Sequence, residues 1–559
     1  MMTYEHLTGA RKPVPAPRAQ EQHPRPAPGP RRWLLPLLVA ALLAQMAVAM
    51  VTTALQQTPT IDEPVYVGTA ADYLHEHRLR LNPEHPPLGK LVVAAGVAVA
   101  GPRVDTAFPG DQGAFGRHLL YASGNDPWRL MFWARLPVIV LTLLFGLVVF
   151  AFAREVAGAP AGSVALALYT FSPDLVAHGS LATLDVPAAG SVLTSVWLLW
   201  RARGRARSHL PLAGAAFGAA LATKMSVLPV VPVVLALAGW AVWHAGAPDR
   251  RTALLRAVKG AAVVAVVAVA VVWLSYLVVD PRLRWSPGEP VPAVHGVRGL
   301  LVELMPFPEA YRDGMRVQFA FEELPWQGFL FGHLYTGSLW YYLPVALLVK
   351  TPLGMLVLGA AGVVALVSVR ELRPAAPHVL VPAAVLLLSA MQGARDFGTR
   401  YALFVPMFLA VAAGCVLAWR VRWAAVATGA LVLFVAVSSA RTFPFYLPYS
   451  NEAFGGPAQT RLRLHDSNVD WGQDLGRLAD RLRTRYPGER VWLVYKGSGV
   501  PSFYGIDAAD PRRVPPREVR GLLVVSDSAA AKAKGRLAAL LDTARPVEDV
   551  GHSITVYRR

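Results

Sequence analysis

The chain has 559 residues, of which 54% are hydrophobic and 16% charged, well below the roughly 25% charge of a soluble protein. The deficit is organised into apolar runs bounded by charges, which excludes a plain soluble domain and indicates a polytopic membrane protein. The net charge of +18 comes mostly from arginines clustered between those runs, so it reads as topology and not as a nucleic-acid-binding face. Cys415 is the single cysteine, which excludes an internal disulfide or a Cys-based metal site.

Residues 1–32 are rich in Pro, Arg and Ala and read as a disordered cytoplasmic tail. The run from Trp33 to about Leu55 is long enough for one span. Ala47-Val48-Ala49 resembles a signal-peptidase site, but the run exceeds the roughly 7–15 residues of a signal h-region, which favours a retained anchor. Further uncharged runs lie at 135–154, 155–174, 185–201, 210–223, 224–249 and 259–280, then at 350–370, 373–395, 400–420 and 422–441. The expectation is about eleven transmembrane helices, each near the ~20 residues a bilayer requires.

In the first half, Arg154, the Arg201–Arg207 cluster and the 250–259 cluster fall on one side, with only Lys224 in the opposite short loops. This places the N-terminus in the cytoplasm. Loops of about 56–130 and 280–337 then face outward. The second half is balanced. An interfacial Leu334–Val349 puts Arg370, Arg373, Arg420 and Arg422 inside, whereas a spanning one puts Lys350, Arg395, Arg400 and Arg441 there. From about 445 to 559 charge returns, with strand-like runs at 491–495, 521–525 and 553–557 and helix-like stretches at 473–485 and 529–541. This reads as a soluble α/β domain.

Asp62-Glu63 stands where the first span enters water. The following segment carries Tyr66, Tyr73, Asn82, Glu84, His85 and Lys90, with Pro86-Pro87 fixing its direction. Carboxylates facing a rigid turn flanked by His and Lys suit a site between a lipid phosphate and a soluble nucleophile. Polar residues at a membrane exit also occur without any role.

Asp62-Glu63, Asn82-Pro83-Glu84-His85-Pro86-Pro87-Leu88-Gly89-Lys90 and Arg135-Leu136-Pro137 together resemble protein O-mannosyltransferase-like (family 39 type) membrane glycosyltransferases of GT-C fold. Further similarity lies in Phe171-Ser172-Pro173, Ala177-His178-Gly179, Thr183-Leu184-Asp185, Trp340-Tyr341-Tyr342-Leu343-Pro344, Lys350-Thr351-Pro352-Leu353, Arg400-Tyr401 and the 466–474 segment. The resemblance implies an all-α polytopic GT-C domain over 33–444 with an extracytoplasmic α/β domain over 445–559. It implies a polyprenyl-phosphate sugar donor, mannose first, and an extracytoplasmic protein, lipid or glycan hydroxyl as acceptor. It also favours the interfacial reading of 334–349 and a multi-pass plasma-membrane location.

On that resemblance Asp62 is the expected catalytic base, with Glu63 orienting the acceptor or tuning Asp62. Arg135 leads the expected phosphate clamp, followed by His85, Lys90 and Arg400. Tyr66, Asn82, Glu84, His178, Asp185 and His333 are expected sugar or acceptor contacts. Competing structural readings make Arg135 and Arg400 snorkelling anchors, Lys90 a helix cap, His85 a partner of the Pro-Pro turn and Asp185 an N-cap.

Asp466, Asn468 and Asp470 imitate the opening of a calcium loop, but Trp471 and Arg477 occupy the positions that need Gly and Glu. A docking turn between the last span and the outer domain is the expected role, with sugar stacking on Trp471 as the alternative. No cofactor is expected, although carboxylates are available for a divalent cation. No phosphate-binding glycine loop follows an expected strand, in keeping with a lipid-linked donor. The other function class to weigh is a transporter or flippase of lipid-linked sugars, which would carry ionisable residues at mid-span breaks.

Overall fold

The computed structural model describes residues 33–243, 249–419 and 421–559. The expected tail and Arg420 lie outside the described residues. Five helices are long and apolar enough to cross a membrane: Leu34–Gln56, Pro127–Ala157, Met225–Trp243, Arg250–Val279 and Ala424–Thr442. A sixth span results if Tyr342–Lys350 and Leu353–Ser368, bent by 118°, count as one. Three shorter apolar helices, Pro87–Ala100, Ala376–Ala390 and Phe404–Ala418, complete the apolar set.

By length and composition this gives five or six spans among the described residues, and about eleven is not reached by that measure. Uncharged sequence is not always continuous helix. The 155–174 run folds as Ala159–Thr170 and the short Pro173–Gly179, and twelve helical residues extend only about 18 Å. The arginine cluster falls where Asp185–Leu221 breaks, with Arg205 outside helical geometry. The segment read as interfacial or spanning is neither along its whole length. Residues 333–336 form a strand, and the helix that follows, Tyr342–Lys350, has nine residues. At about 14 Å that helix cannot cross a bilayer alone.

The two expected outer loops are folded. The first contains helices Glu63–His75, Pro87–Ala100 and Gln112–Tyr121. Pro86 is extended and Pro87 opens its helix, as a Pro-Pro turn favours. Gly68 lies so close to Gly116 that a Cβ there would meet the Gly116 Cα at 2.9 Å, so the first and third of these helices cross almost backbone to backbone. The second holds helices Gly296–Glu303 and Glu309–Glu322 and a hairpin of β1 (Gln327–Leu330) and β2 (His333–Thr336).

The C-terminal sheet comprises β3 (Val491–Val494), β4 (Ala508–Ala509), β5 (Leu522–Ser526), β6 (Arg545–Val550) and β7 (Ile554–Arg558). Their order is β4-β3-β5-β7-β6, with β4, β3 and β5 parallel and the β7 and β6 pairings antiparallel. β5 is apolar from Leu522 to Val525 because both its faces are covered. Leu522 and Val524 pack with Leu475, Leu478 and Leu482 of helix Leu475–Arg485. Leu523 and Val525 pack with Trp492, Leu537 and Leu540, the last two from helix Arg536–Asp542. The single helix expected over 529–541 is two short ones, Asp527–Ala531 and Arg536–Asp542, parted by Gly535 at φ +53°.

The sheet is tied to the helical part by backbone. Thr58 N–H donates to the Gln473 carbonyl at 3.0 Å and Ile61 N–H to the Trp471 carbonyl at 2.9 Å. The 466–474 segment is the docking turn. Trp471 is 1% exposed within it, which leaves no free face for a sugar ring.

Candidate active site

The two adjacent carboxylates face opposite ways. Glu63 is sealed inside with Arg135, both side chains 0% exposed. All five N–H donors of Arg135 are committed. Nε and one Nη bond the two Glu63 oxygens at 2.7 Å each, and the remaining donors reach the carbonyls of Ala54 (2.7 Å), Gln57 (2.9 Å) and Thr58 (3.2 Å). These carbonyls end the first span, where a helix leaves acceptors unpaired. Glu63 also accepts from Thr60 N–H at 2.9 Å and Ala182 N–H at 2.8 Å. Burial pushes the Glu63 carboxyl up, but the Arg135 guanidinium and these N–H groups outweigh it and hold the carboxyl below its ordinary range. The geometry therefore gives Arg135 a different task from the phosphate clamp expected of it. It fixes the exit of the first span, and Glu63 is its counter-ion, not an acceptor contact.

Asp62, by contrast, opens outward with its side chain 26% exposed and accepts from Arg400 Nη1 at 2.6 Å. Arg400 is stacked 4.5 Å from the Trp471 ring and 4.8 Å from the Tyr401 ring, and its Nε is buried without a hydrogen-bond partner. Tyr66 lies beside Asp62, one turn along helix Glu63–His75, and is buried. Asp185, the first residue of helix Asp185–Leu221, pairs with Lys224, and the Lys224 ammonium stands 5.2 Å from the Tyr401 ring. Leu184 holds the N-cap position, so Asp185 serves as the Lys224 counter-ion. Both Arg400 and Lys224 thus lie close to the Tyr401 ring.

The 82–90 turn braces the other wall. Lys90 Nζ donates to the Asn82 and His85 carbonyls at 2.7 Å each and is 1% exposed. It ties the turn to the helix it opens, and phosphate binding is not within its reach. Asn82 takes the left-handed conformation at φ +54°, which short polar side chains tolerate. Glu84 accepts from Gln112 Nε2 at 2.8 Å. The His85 ring meets Tyr66 edge-on at 5.8 Å, and its buried Nδ1 has no hydrogen-bond partner. Burial, helped by Lys224 and Lys90, holds His85 well below its ordinary pKa. It is a neutral imidazole beside the cations, not a third charge. His178 meets Trp471 edge-on at 6.0 Å, and burial pushes it down to about 4. His333 is exposed on β2 and makes no polar contact with the other site residues.

The structure thus brings Asp62, Arg400, Tyr66, His85, Asp185 and His178 together and adds Lys224, Tyr401 and Trp471. Lys224 carried a sequence signal, as the one cation in the short loops of its side. Nothing local marked its pairing with Asp185. Among the described residues there is no group of three or more His, Cys, Asp or Glu side chains able to hold a metal ion. Asp62 and Asp185 are each paired with a cation, so the residues present do not fit a divalent ion.

Fold and site together define a multi-pass membrane protein with an acid–base and cation cluster where its helices meet a small α/β domain. Residues 39–281 match the family described as dolichyl-phosphate-mannose-protein mannosyltransferase, which is less than half of the chain but includes Asp62, Arg135, Asp185 and Lys224. The resemblance read from the sequence is carried by this match, and with it the enzyme class, a polyprenyl-phosphate-sugar-dependent glycosyltransferase. Among curated proteins, none matches the chain.

Among solved structures, ArnT from Cupriavidus metallidurans bound to undecaprenyl phosphate is 17% identical, with 95% of this chain and 98% of that one covered and a TM-score of 0.49. The S. cerevisiae Pmt1-Pmt2 complex bound to its sugar donor is 20% identical over 44% of this chain and 34% of that one, at 0.37. The oligosaccharyltransferase AglB from Archaeoglobus fulgidus is 13% identical over 82% and 59%, at 0.44. All three TM-scores fall below 0.5, so residue roles rest on the geometry of this chain.

Proposed function

We propose that the protein is a GT-C-type glycosyltransferase that moves a sugar, mannose first, from a polyprenyl-phosphate donor to an extracytoplasmic hydroxyl. The observation that carries this reading is the outward-facing Asp62–Arg400 pair backed by the sealed Glu63–Arg135 pair. The acceptor oxygen attacks the anomeric carbon as the bond from that carbon to the phosphate oxygen breaks. Asp62 takes the hydroxyl proton, and the electron pair leaves with the polyprenyl phosphate. A single displacement of this kind inverts the anomeric centre. The phosphate needs no proton, only cations, and Arg400 and Lys224, both beside Tyr401, supply them. Neutral His85 adds a hydrogen bond. Each cation now paired with Asp62 or Asp185 can exchange part of that contact for phosphate oxygens.

The donor enters from lipid, and the acceptor arrives at the face covered by the α/β domain. The N-terminus is then cytoplasmic and residues 445–559 are extracytoplasmic. The test is Asp62→Asn in membranes supplied with radiolabelled polyprenyl-phosphate mannose. Transfer is expected to vanish while membrane insertion and expression stay normal. Full transfer by that variant overturns the role of Asp62, and labelling of the 56–62 rim from the cytosolic face overturns the reading as a whole.

A further inference from the structure

Helix Gly296–Glu303 turns its apolar face away from the rest of the protein. Val297, Leu300, Leu301 and Leu304 are each between 55% and 75% exposed. At about 100° per residue these four share one stripe roughly 100° wide, while Val302 points the opposite way and is fully buried. The charged flanks of the helix are held by its neighbour, helix Glu309–Glu322. The Arg298 guanidinium lies 5.2 Å from the Phe319 ring, and Glu303 pairs with Arg312 at 3.7 Å and with Arg316. In water such a stripe would fold inward. Left outside and contiguous, it marks a surface that meets something apolar.

The stripe adjoins the bilayer-facing side of a span. Leu274 and Val278, near the end of helix Arg250–Val279, are exposed apolar side chains. Trp273 ties that end to the segment after helix Gly296–Glu303, its Nε1 donating to the Pro306 carbonyl at 2.9 Å, as an indole does at a membrane–water boundary. Here the structure holds a cavity of about 620 Å³ lined by Leu79, Trp273, Leu283, Met305 and Phe307 among others, within the roughly 300–1,000 Å³ of a ligand pocket. The lining is apolar except for Glu309 and Arg312, which stand one turn apart on one face of their helix. Glu309 is exposed. Arg312 Nε is buried with no hydrogen-bond partner among the described residues. An apolar cavity with one guanidinium and one carboxylate in its lining matches an acyl chain followed by a phosphate and an ammonium.

We propose that helix Gly296–Glu303 lies in the plane of the membrane leaflet at the Val279 end of that span, and that the cavity beside it binds one phospholipid with an amine head group. The stripe sits in hydrocarbon, as in other interfacial helices. An acyl chain fills the cavity, the lipid phosphate meets Arg312 and the ammonium meets Glu309. This docking reaches the candidate site through helix Glu309–Glu322, whose Gln318 Nε2 donates to the Glu84 carbonyl at 2.8 Å. Lipid bound at the start of that helix therefore steadies the 82–90 turn that carries His85, whatever reaction the site performs.

The test uses the full-length protein in dilute proteoliposomes of equimolar phosphatidylethanolamine and phosphatidylglycerol and has two arms. Cys415, the single cysteine, is fully buried, so nitroxide labels can be placed at Leu300→Cys and, on the exposed face of the α/β domain, at Asp480→Cys. Oxygen is expected to relax the label at Leu300→Cys several-fold more than a water-soluble nickel chelate does, with the reverse at Asp480→Cys. A label at Leu300→Cys reached mainly by the nickel chelate overturns the in-plane helix. Dipolar coupling between two copies labelled there assigns the stripe to a second copy of the chain and overturns it equally.

The second arm reads the cavity by native mass spectrometry of protein extracted from the same vesicles. One phosphatidylethanolamine is expected to stay bound, in several-fold excess over phosphatidylglycerol. Arg312→Gln should cut retention of either lipid several-fold, and Glu309→Gln should abolish the preference while retention persists. Glu309→Gln, at an exposed position, decides the matter if Arg312→Gln fails to fold. Equal retention of both lipids by the unaltered protein, or retention and preference unchanged in the variants, overturns the site.

Discussion

Arg400 holds the Asp62 carboxylate at 2.6 Å while its guanidinium face lies 4.5 Å from the Trp471 ring. One side chain therefore links the expected base, which begins the Glu63–His75 helix, to the docking turn of the C-terminal domain. Arginine suits this post because a planar cation can stack and bond in its plane at once. Arg400→Gln is expected to lower kcat about 10²–10³-fold, the range for losing a group that stabilises developing charge. Arg400→Lys keeps the charge but loses the stack, and should recover only part of the rate. Single-turnover transfer from a polyprenyl-phosphate sugar measures both.

Glu63 and Arg135 make a separate, structural prediction. A buried pair is strongly destabilised, by about 3–5 kcal/mol, when one partner is removed, because the other charge is left without compensation. Glu63→Gln and Arg135→Met should each lower the thermal midpoint of the detergent-solubilised protein markedly. The double variant should be less damaged than the sum of the two, since no lone charge remains. Additive losses would show that the pair acts as two independent groups. Any fall in activity should track the folded fraction, unlike that of Asp62→Asn.

Gly398 adopts φ +148°, and a Cβ there would press into Ser467 Oγ. It precedes Thr399, whose N–H bonds Asn468 Oδ1 at 3.0 Å, and then Arg400. Gly398→Ala therefore strains the backbone that aims Arg400 and pushes against the docking turn. The expected outcome is a loss of turnover larger than the loss of stability, read by comparing kcat with the thermal midpoint. Normal turnover would show that Arg400 is aimed by its stack on Trp471 alone.

Much of the architecture was legible because it rests on local pattern. β3, β5 and β7 fall on the apolar runs that announced them, and the 466–474 segment docks as expected. β6 was missed because Arg545-Pro546-Val547-Glu548-Asp549-Val550 is mostly polar, as an edge strand carrying a proline can be. The site was half legible. Asp62 could be singled out by its place at a membrane exit. The division of labour between Asp62 and Glu63 could not, since adjacent residues at a helix start point in different directions and it is distant Arg135 that marks Glu63 as the inward one. Lys224 and Trp471 are far from Asp62 in sequence and join it through Tyr401 and Arg400, tertiary contacts that no local pattern encodes.

The docking turn also predicts a pH dependence. Burial pushes the Asp470 carboxyl up to about 7, and Asp527 to about 6. A carboxyl whose folded pKa lies above its unfolded value, near 4, binds a proton in the folded state that the unfolded chain has lost. Between pH 4 and 7 the folded state therefore carries the extra protons, and stability declines as pH rises through that window. Asp466 works the other way. Burial would raise it, but Lys496 outweighs burial and holds it at about 2. Its contribution is present above about pH 4 and is lost as pH falls toward 2. The thermal midpoint of the solubilised protein should thus peak at about pH 4, where the acid limb ends and the decline begins, and fall on both sides. Asp470→Asn keeps an acceptor for only one of Gly472 N–H and Ser528 N–H, which bond different carboxylate oxygens, and removes the titrating proton, so the variant should be less stable throughout while the decline between pH 4 and 7 flattens and the acid limb stays. An unaltered slope in that variant would assign the decline to Asp527 or to groups elsewhere in the chain.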